Sequence, residues 1–134
     1  MKTFFIAYFS SIVSLIILDS IWLSNMIKSF YGPRLSHLTA EHTSYTPAII
    51  FYILYAVGII VLVVLPAISG NWSLSKVFLT GALLGLVSYG AYDFTNQATL
   101  KDWPTVITVV DLTWGTFLTG TASAISFHIS KFLS

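Results

Sequence analysis

The sequence predicts an all-α fold: a polytopic membrane protein built as a compact four-transmembrane-helix bundle, with residues 1–134 forming a single integral membrane domain. Charged residues make up 8% of the chain, whereas soluble domains carry about 25%, so no ordinary water-facing surface can be assembled from it. Hydrophobic residues make up 56% and fall in long blocks, the distribution expected when lipid is the solvent.

The elements follow in order. Between Lys2 and Lys28 the only charge is Asp19, and a helix over about 4–27 is long enough to cross a hydrocarbon core of about 30 Å. A lysine followed by an apolar run resembles the start of a signal peptide. No small-x-small cleavage site follows, however, and Asp19 interrupts the run, so a retained helix is expected. No charge occurs between Glu41 and Lys76. The second helix is expected over about 47–69, with Pro47 in its first turn and the stretch Pro66 to Trp72 ending it. Ser73 is a candidate N-cap for a third helix over about 77–98, which closes in the polar run Thr95, Asn96, Gln97. Lys101 and Asp102 make a turn, and Pro104 opens a fourth helix over about 104–128 that contains Asp111. The short second and third connections make consecutive helices antiparallel.

With this topology the two termini and the Trp72 turn share one membrane side, carrying Lys2, Lys76 and Lys131. The other side carries Lys28, Arg34 and Lys101 with Glu41 and Asp102. Lysine and arginine tie across the membrane, and only the N-terminal amine tips the count toward both termini being cytoplasmic. A net charge of +1 without a basic run predicts no nucleic-acid partner. Cysteine is absent, which excludes disulfides, thiolate metal sites and thiol nucleophiles.

The informative residues are the acids inside the spans. Asp19, Asp93 and Asp111 each cost about 2.5 to 3.5 kcal/mol to insert as ions. Because the helices alternate in direction, Asp19 and Asp93 come late in their segments and Asp111 comes early. All three are therefore displaced the same way, by roughly 6 to 9 Å from the span centres. Tyr52 and Tyr55 of the second helix, Tyr89 and Asn96 of the third, Thr108 and Trp114 of the fourth and Trp22 of the first fall near the same layer. A polar pocket is expected there, with Asp93, Asp111 and Asp19 as candidate catalytic groups and those seven residues as its lining. Lys28, Arg34 and Lys101 lie on the side toward which the acids are displaced, within reach of them. Asp19-x-x-Trp22 and Asp111-x-x-Trp114 echo each other on helices that run in opposite directions. Gly81 and Gly85 mark a close helix approach and a homodimer face, and Gly115 serves similarly on the fourth helix.

Several runs point to a family: Phe51-Tyr52-x-x-Tyr55-x-x-Gly58, Gly81-Ala82-Leu83-Leu84-Gly85-Leu86, Tyr92-Asp93-Phe94-Thr95-Asn96-Gln97 followed by Trp103-Pro104, and Asp111-Leu112-Thr113-Trp114-Gly115. Together with Asp19-x-x-Trp22 and Tyr31 they resemble the DUF2177 family of small predicted bacterial membrane proteins over nearly the whole chain. Phe94 and Gln97 stand where that family's block has leucines. The resemblance implies a bacterial inner-membrane location and supplies no activity or site residues.

The loop stretch His37-x-x-x-Glu41-His42 matches no metalloprotease spacing and reads as a solvated turn or interfacial helix. His128, Trp72 and Trp103 read as interfacial residues. No phosphate loop or nucleophile elbow is present, and no metal or cofactor is expected. Three functional readings follow. The first is a binding site for a lipid-like or isoprenoid molecule among membrane lipids, with enzymatic proton donation from a neutral carboxyl left open. The second is a proton-linked transporter or channel-like oligomer. The third is a scaffold in which the acids hold helices together. Clustering of the polar groups on one side, rather than in a file across the bilayer, favours the first.

Overall fold

The computed structural model describes residues 1–134, and its regular structure is entirely helical. Four continuous helices follow one another: α1 Lys2–Leu35, α2 Tyr45–Ser69, α3 Leu74–Thr99 and α4 Thr105–Leu133. By length and apolarity α1, α2 and α3 can each cross a membrane. The fold is an all-α bundle of the kind that composition requires.

Helix α1 runs past the expected end near residue 27 to Leu35, through a π-helical turn at Ile27–Tyr31. Helix α2 contains a second such turn at Ile60–Val64. A proline lies two positions after each, Pro33 and Pro66. Proline lacks an N–H and its ring crowds the carbonyl four residues back, so a regular α-turn cannot pass through it undisturbed. Widening the preceding turn makes room, and both helices continue instead of ending. The tight turns use left-handed residues that tolerate that geometry, Asn71 at φ 51° and Asp102 at φ 58°. Ser73 caps α3 by accepting from the Lys76 N–H at 3.2 Å.

Helices α3 and α4 lie along each other for several turns. A side chain at Gly81 would meet Ser123 and the Thr119 carbonyl, one at Gly85 would meet the Gly115 carbonyl and Thr119, and one at Gly120 would meet Phe78. Glycine at these positions lets the two backbones approach, the usual device of membrane helices. Within the chain, the face of Gly81 and Gly85 on which a homodimer is expected is filled by α4. Helix α4 also packs on α1, and α2 lies against both.

The side chains are arranged for lipid rather than water. Phe9, Ile21, Leu54, Leu62, Leu79 and Val87 point outward, while Ser11, Ser14, Thr119, Ser123, Ser126 and Ser130 are buried between helices. Helix α4 contributes most of these hydroxyls, so its sequence is less apolar than its position in the bundle. An apolar core of Ala7, Leu15, Ile59, Val63, Leu118 and Ala122, among others, fills the half nearer the termini. The buried acids Asp19 and Asp93 lie in the other half, which is the more polar one.

Candidate functional site

Three helices converge on that polar half through a relay of hydrogen bonds. Asp19 on α1 accepts from the Tyr52 hydroxyl of α2, and its other oxygen accepts from Trp114 Nε1 of α4 at 3.0 Å. Asp111 on α4 accepts through Oδ1 from the Tyr31 hydroxyl, and Tyr31 in turn accepts from Trp22 Nε1 at 3.1 Å. Tyr31 belongs to the π-turn of α1, so the widened turn before Pro33 presents this hydroxyl to α4.

The two indoles that serve these acids stack, with Trp22 and Trp114 ring centroids 4.4 Å apart. Each tryptophan lies three residues beyond the acid of its own helix and serves the acid of the other, Trp114 directly and Trp22 through Tyr31. Antiparallel helices turn the repeated Asp-x-x-Trp pattern into a reciprocal pair.

These groups wall a cleft of about 410 Å³ that opens at the end of the bundle away from the termini. Asp19, Trp22, Tyr31, Tyr89, Tyr92, Trp103, Asp111 and Trp114 line it, with Leu23, Ile27 and Leu35 of α1 and Thr39 and Thr43 of the connecting loop at its rim. Tyr89 lies against the α4 backbone, where a side chain at position 115 would strike its ring, so Gly115 sets the depth of that wall. Tyr92 and Trp103 meet edge to face, 6.0 Å between centroids. Two thirds of the lining is aromatic or aliphatic, with a few convergent polar groups, as in most small-molecule sites.

Asp93 lies behind this wall. It is fully buried, and neither carboxyl oxygen has a hydrogen-bond partner. Its neighbour is the Asp111 carboxyl, close enough for the two acids to share a proton. Buried polar groups in folded proteins are almost always partnered, so an orphaned carboxyl is a conspicuous exception. No basic residue answers these acids. Lys28, Arg34 and Lys101 are exposed and absent from the cleft lining. The Arg34 guanidinium sits 4.3 Å from the Phe30 ring centroid and donates to the Phe30 carbonyl. The expectation that these side chains reach in is corrected accordingly.

Of the expected pocket residues, Asp19, Asp111, Trp22, Tyr89 and Trp114 reach the cleft directly, and Tyr52 holds Asp19 from outside it. Tyr55 instead points into the core, its hydroxyl 2.6 Å from Thr119 Oγ1. Thr108 is buried and takes Trp103 Nε1 at 3.1 Å. Asn96 is half-buried and outside the lining. Three wall residues, Tyr31, Tyr92 and Trp103, stand outside the expected set. Tyr31 lies beyond the anticipated helix end, and Trp103 reads by position as an interfacial belt residue. His37, Glu41 and His42 are exposed in the loop after α1.

No curated protein and no solved structure matches the chain. A family model described as a predicted membrane protein, DUF2177, covers residues 4–128, which takes in every element of the cleft, and the chain belongs to that family.

Proposed function

We propose that this protein is a membrane-embedded binding protein whose cleft takes the polar head of a lipid-like molecule while the molecule's tail lies along the bundle. The observation that carries the reading is the pairing of aromatic walls with acids that lack any protein cation, Asp93 having no donor on either oxygen and only a second acid, Asp111, beside it. A group that only braced the bundle would be fully paired, as Asp19 is. The structure of the site is thus complete as a wall and incomplete as a charge arrangement, which is what a ligand would complete. In this reading all four helices cross the bilayer of a bacterial inner membrane. With the termini cytoplasmic, the cleft faces outward.

The transport reading draws on a different observation. Buried hydroxyls of Ser14, Ser11, Thr119, Ser123, Ser126 and Ser130 continue from the acid layer toward the termini. They are packed without space for a water file, because Ser123 abuts Gly81 and Thr119 abuts Gly85. That close packing supports binding over conduction.

The test is to extract the protein from membranes in a mild detergent and identify co-purifying amphiphiles by mass spectrometry, in parallel with a Trp103→Ala, Tyr92→Ala variant. A defined amphiphile that is depleted in the variant is expected. Bulk lipid in equal amount in both preparations, together with proton-gradient-dependent flux in proteoliposomes that Asp111→Asn abolishes, would favour transport instead.

A further inference from the structure

The charge and the walls of the cleft together narrow the ligand. Asp19 has both oxygens engaged, by Tyr52 and Trp114. Asp111 accepts through Oδ1 from Tyr31, leaving Oδ2 without a tyrosine, tryptophan or basic donor and with the Asp93 carboxyl as its acidic neighbour. Behind it Asp93 is fully buried with both oxygens unpartnered. No lysine, arginine or histidine lines the cleft. The remaining walls are π-faces and edges, those of Trp22, Trp114, Tyr31, Tyr89, Tyr92 and Trp103. Aromatic faces around an acid attract cations through the ring quadrupole, most strongly where water is excluded. An anionic head would instead meet the Asp19 and Asp111 carboxylates at short range with no counter-charge, and like charges so placed repel. A neutral sugar or alcohol head would leave the negative charge at the Asp93–Asp111 pair uncompensated.

We infer that the cleft selects a positively charged head, an alkylammonium amphiphile whose nitrogen sits beside Asp111 Oδ2 within the aromatic walls. The inference rests on the reading of the cleft as an amphiphile site and adds the sign and type of the head. A primary or tertiary ammonium can donate an N–H to Asp111, while the aromatic faces take its methylene or methyl groups. Asp93 then lies behind Asp111 and acts on the ligand only through that neighbouring carboxyl.

Three of the four tryptophans, Trp22, Trp103 and Trp114, line the cleft, so intrinsic fluorescence reports its occupancy. The protein in alkyl-glycoside micelles is titrated with dodecylammonium, dodecanol or dodecanoate, with fluorescence and thermal stability as readouts. Dodecylammonium should saturate at a concentration at least tenfold lower than dodecanol, and dodecanoate should give no saturable change. Asp111→Asn should raise the dodecylammonium midpoint at least tenfold. Asp102→Asn, in the exposed turn before α4, should leave it unchanged. Tyr92→Leu alters an exposed wall ring without removing a buried partner, so it remains informative should Asp111→Asn fail to fold, and it should weaken binding several-fold. Equal response to dodecanol, or an unchanged midpoint in both variants, overturns the cation inference and leaves the amphiphile reading standing. No saturable response to any of the three probes overturns both.

Discussion

Trp22 lies flat on Trp114, their planes within 5° of parallel and their ring centroids 4.4 Å apart, which fastens the first helix to the last at the level of the acids. Each indole also donates its N–H, one to Tyr31 and one to Asp19, so stacking and hydrogen bonding are carried by the same two side chains. Aromatic pairs of this kind contribute about 0.5 to 1.5 kcal/mol beyond their buried area. In a double-mutant cycle of Trp22→Leu and Trp114→Leu, followed by reversible unfolding in mixed micelles, the two changes should be non-additive by about that amount. Strict additivity would mean that the rings do not support one another.

The tyrosine hydroxyls should rank by what they leave behind. Hydrogen bonds between membrane helices average about 0.6 kcal/mol and reach about 1.7. Tyr55→Phe removes a neutral bond to Thr119 and should fall near the average. Tyr52→Phe strips a donor from the Asp19 carboxyl and should fall at or above the upper value. Unfolding free energies in the reverse order would contradict the placement of Asp19.

The glycines separate into two classes. A methyl at Gly115 would strike the Tyr89 ring, whereas one at Gly58 meets nothing within 4 Å. Gly115→Ala should therefore destabilise by about 1 to 3 kcal/mol through overpacking and also perturb the cleft fluorescence. Gly58→Ala should be neutral or stabilising by up to about 1 kcal/mol, since alanine is the better helix former. Equal midpoints of thermal unfolding for the two variants would rule out the close approach of α4 to Tyr89.

Asp93 should behave opposite to a structural residue. It is buried with no donor on either oxygen and with a second acid, Asp111, beside it, and removing one of two crowded buried carboxyls relieves desolvation and like-charge repulsion. In the absence of added ligand, Asp93→Asn should unfold no more readily than the parent protein, with a gain of about 1 kcal/mol or more expected. A loss of comparable size would reveal a partner that holds this carboxyl in place.

Much of this arrangement is legible in the sequence because depth in a membrane can be counted along a helix. Asp19, Trp22, Asp111 and Trp114 fall at one level by counting residues from the span ends, and they do meet. Tyr31 escapes such counting. The first helix is expected to end near residue 27, and only a π-turn at Ile27–Tyr31, which no hydrophobic pattern announces, carries it further with this ring aimed at α4. Glycine spacing reports that another backbone comes close but not whose, which is why Gly81 and Gly85 suggest a second copy when the neighbour is α4. The long flexible stems of Lys28 and Arg34 leave their charged ends undetermined by position, and Arg34 settles on Phe30. Tyr55 and Thr108 show the converse limit, since shared depth does not fix the face from which a side chain leaves its helix.

The hydroxyl-lined face of α4 bears on how the molecule is assembled. A segment this rich in serine, threonine and glycine partitions weakly into hydrocarbon when alone, and α3 exposes Asp93 and two glycines along the surface that α4 covers. Each helix hides what the other cannot show to lipid, so the pair should enter the bilayer together as a hairpin. A chain interrupted after Thr99 should then be recognised and degraded as an orphan, even though its first three helices are apolar enough to insert.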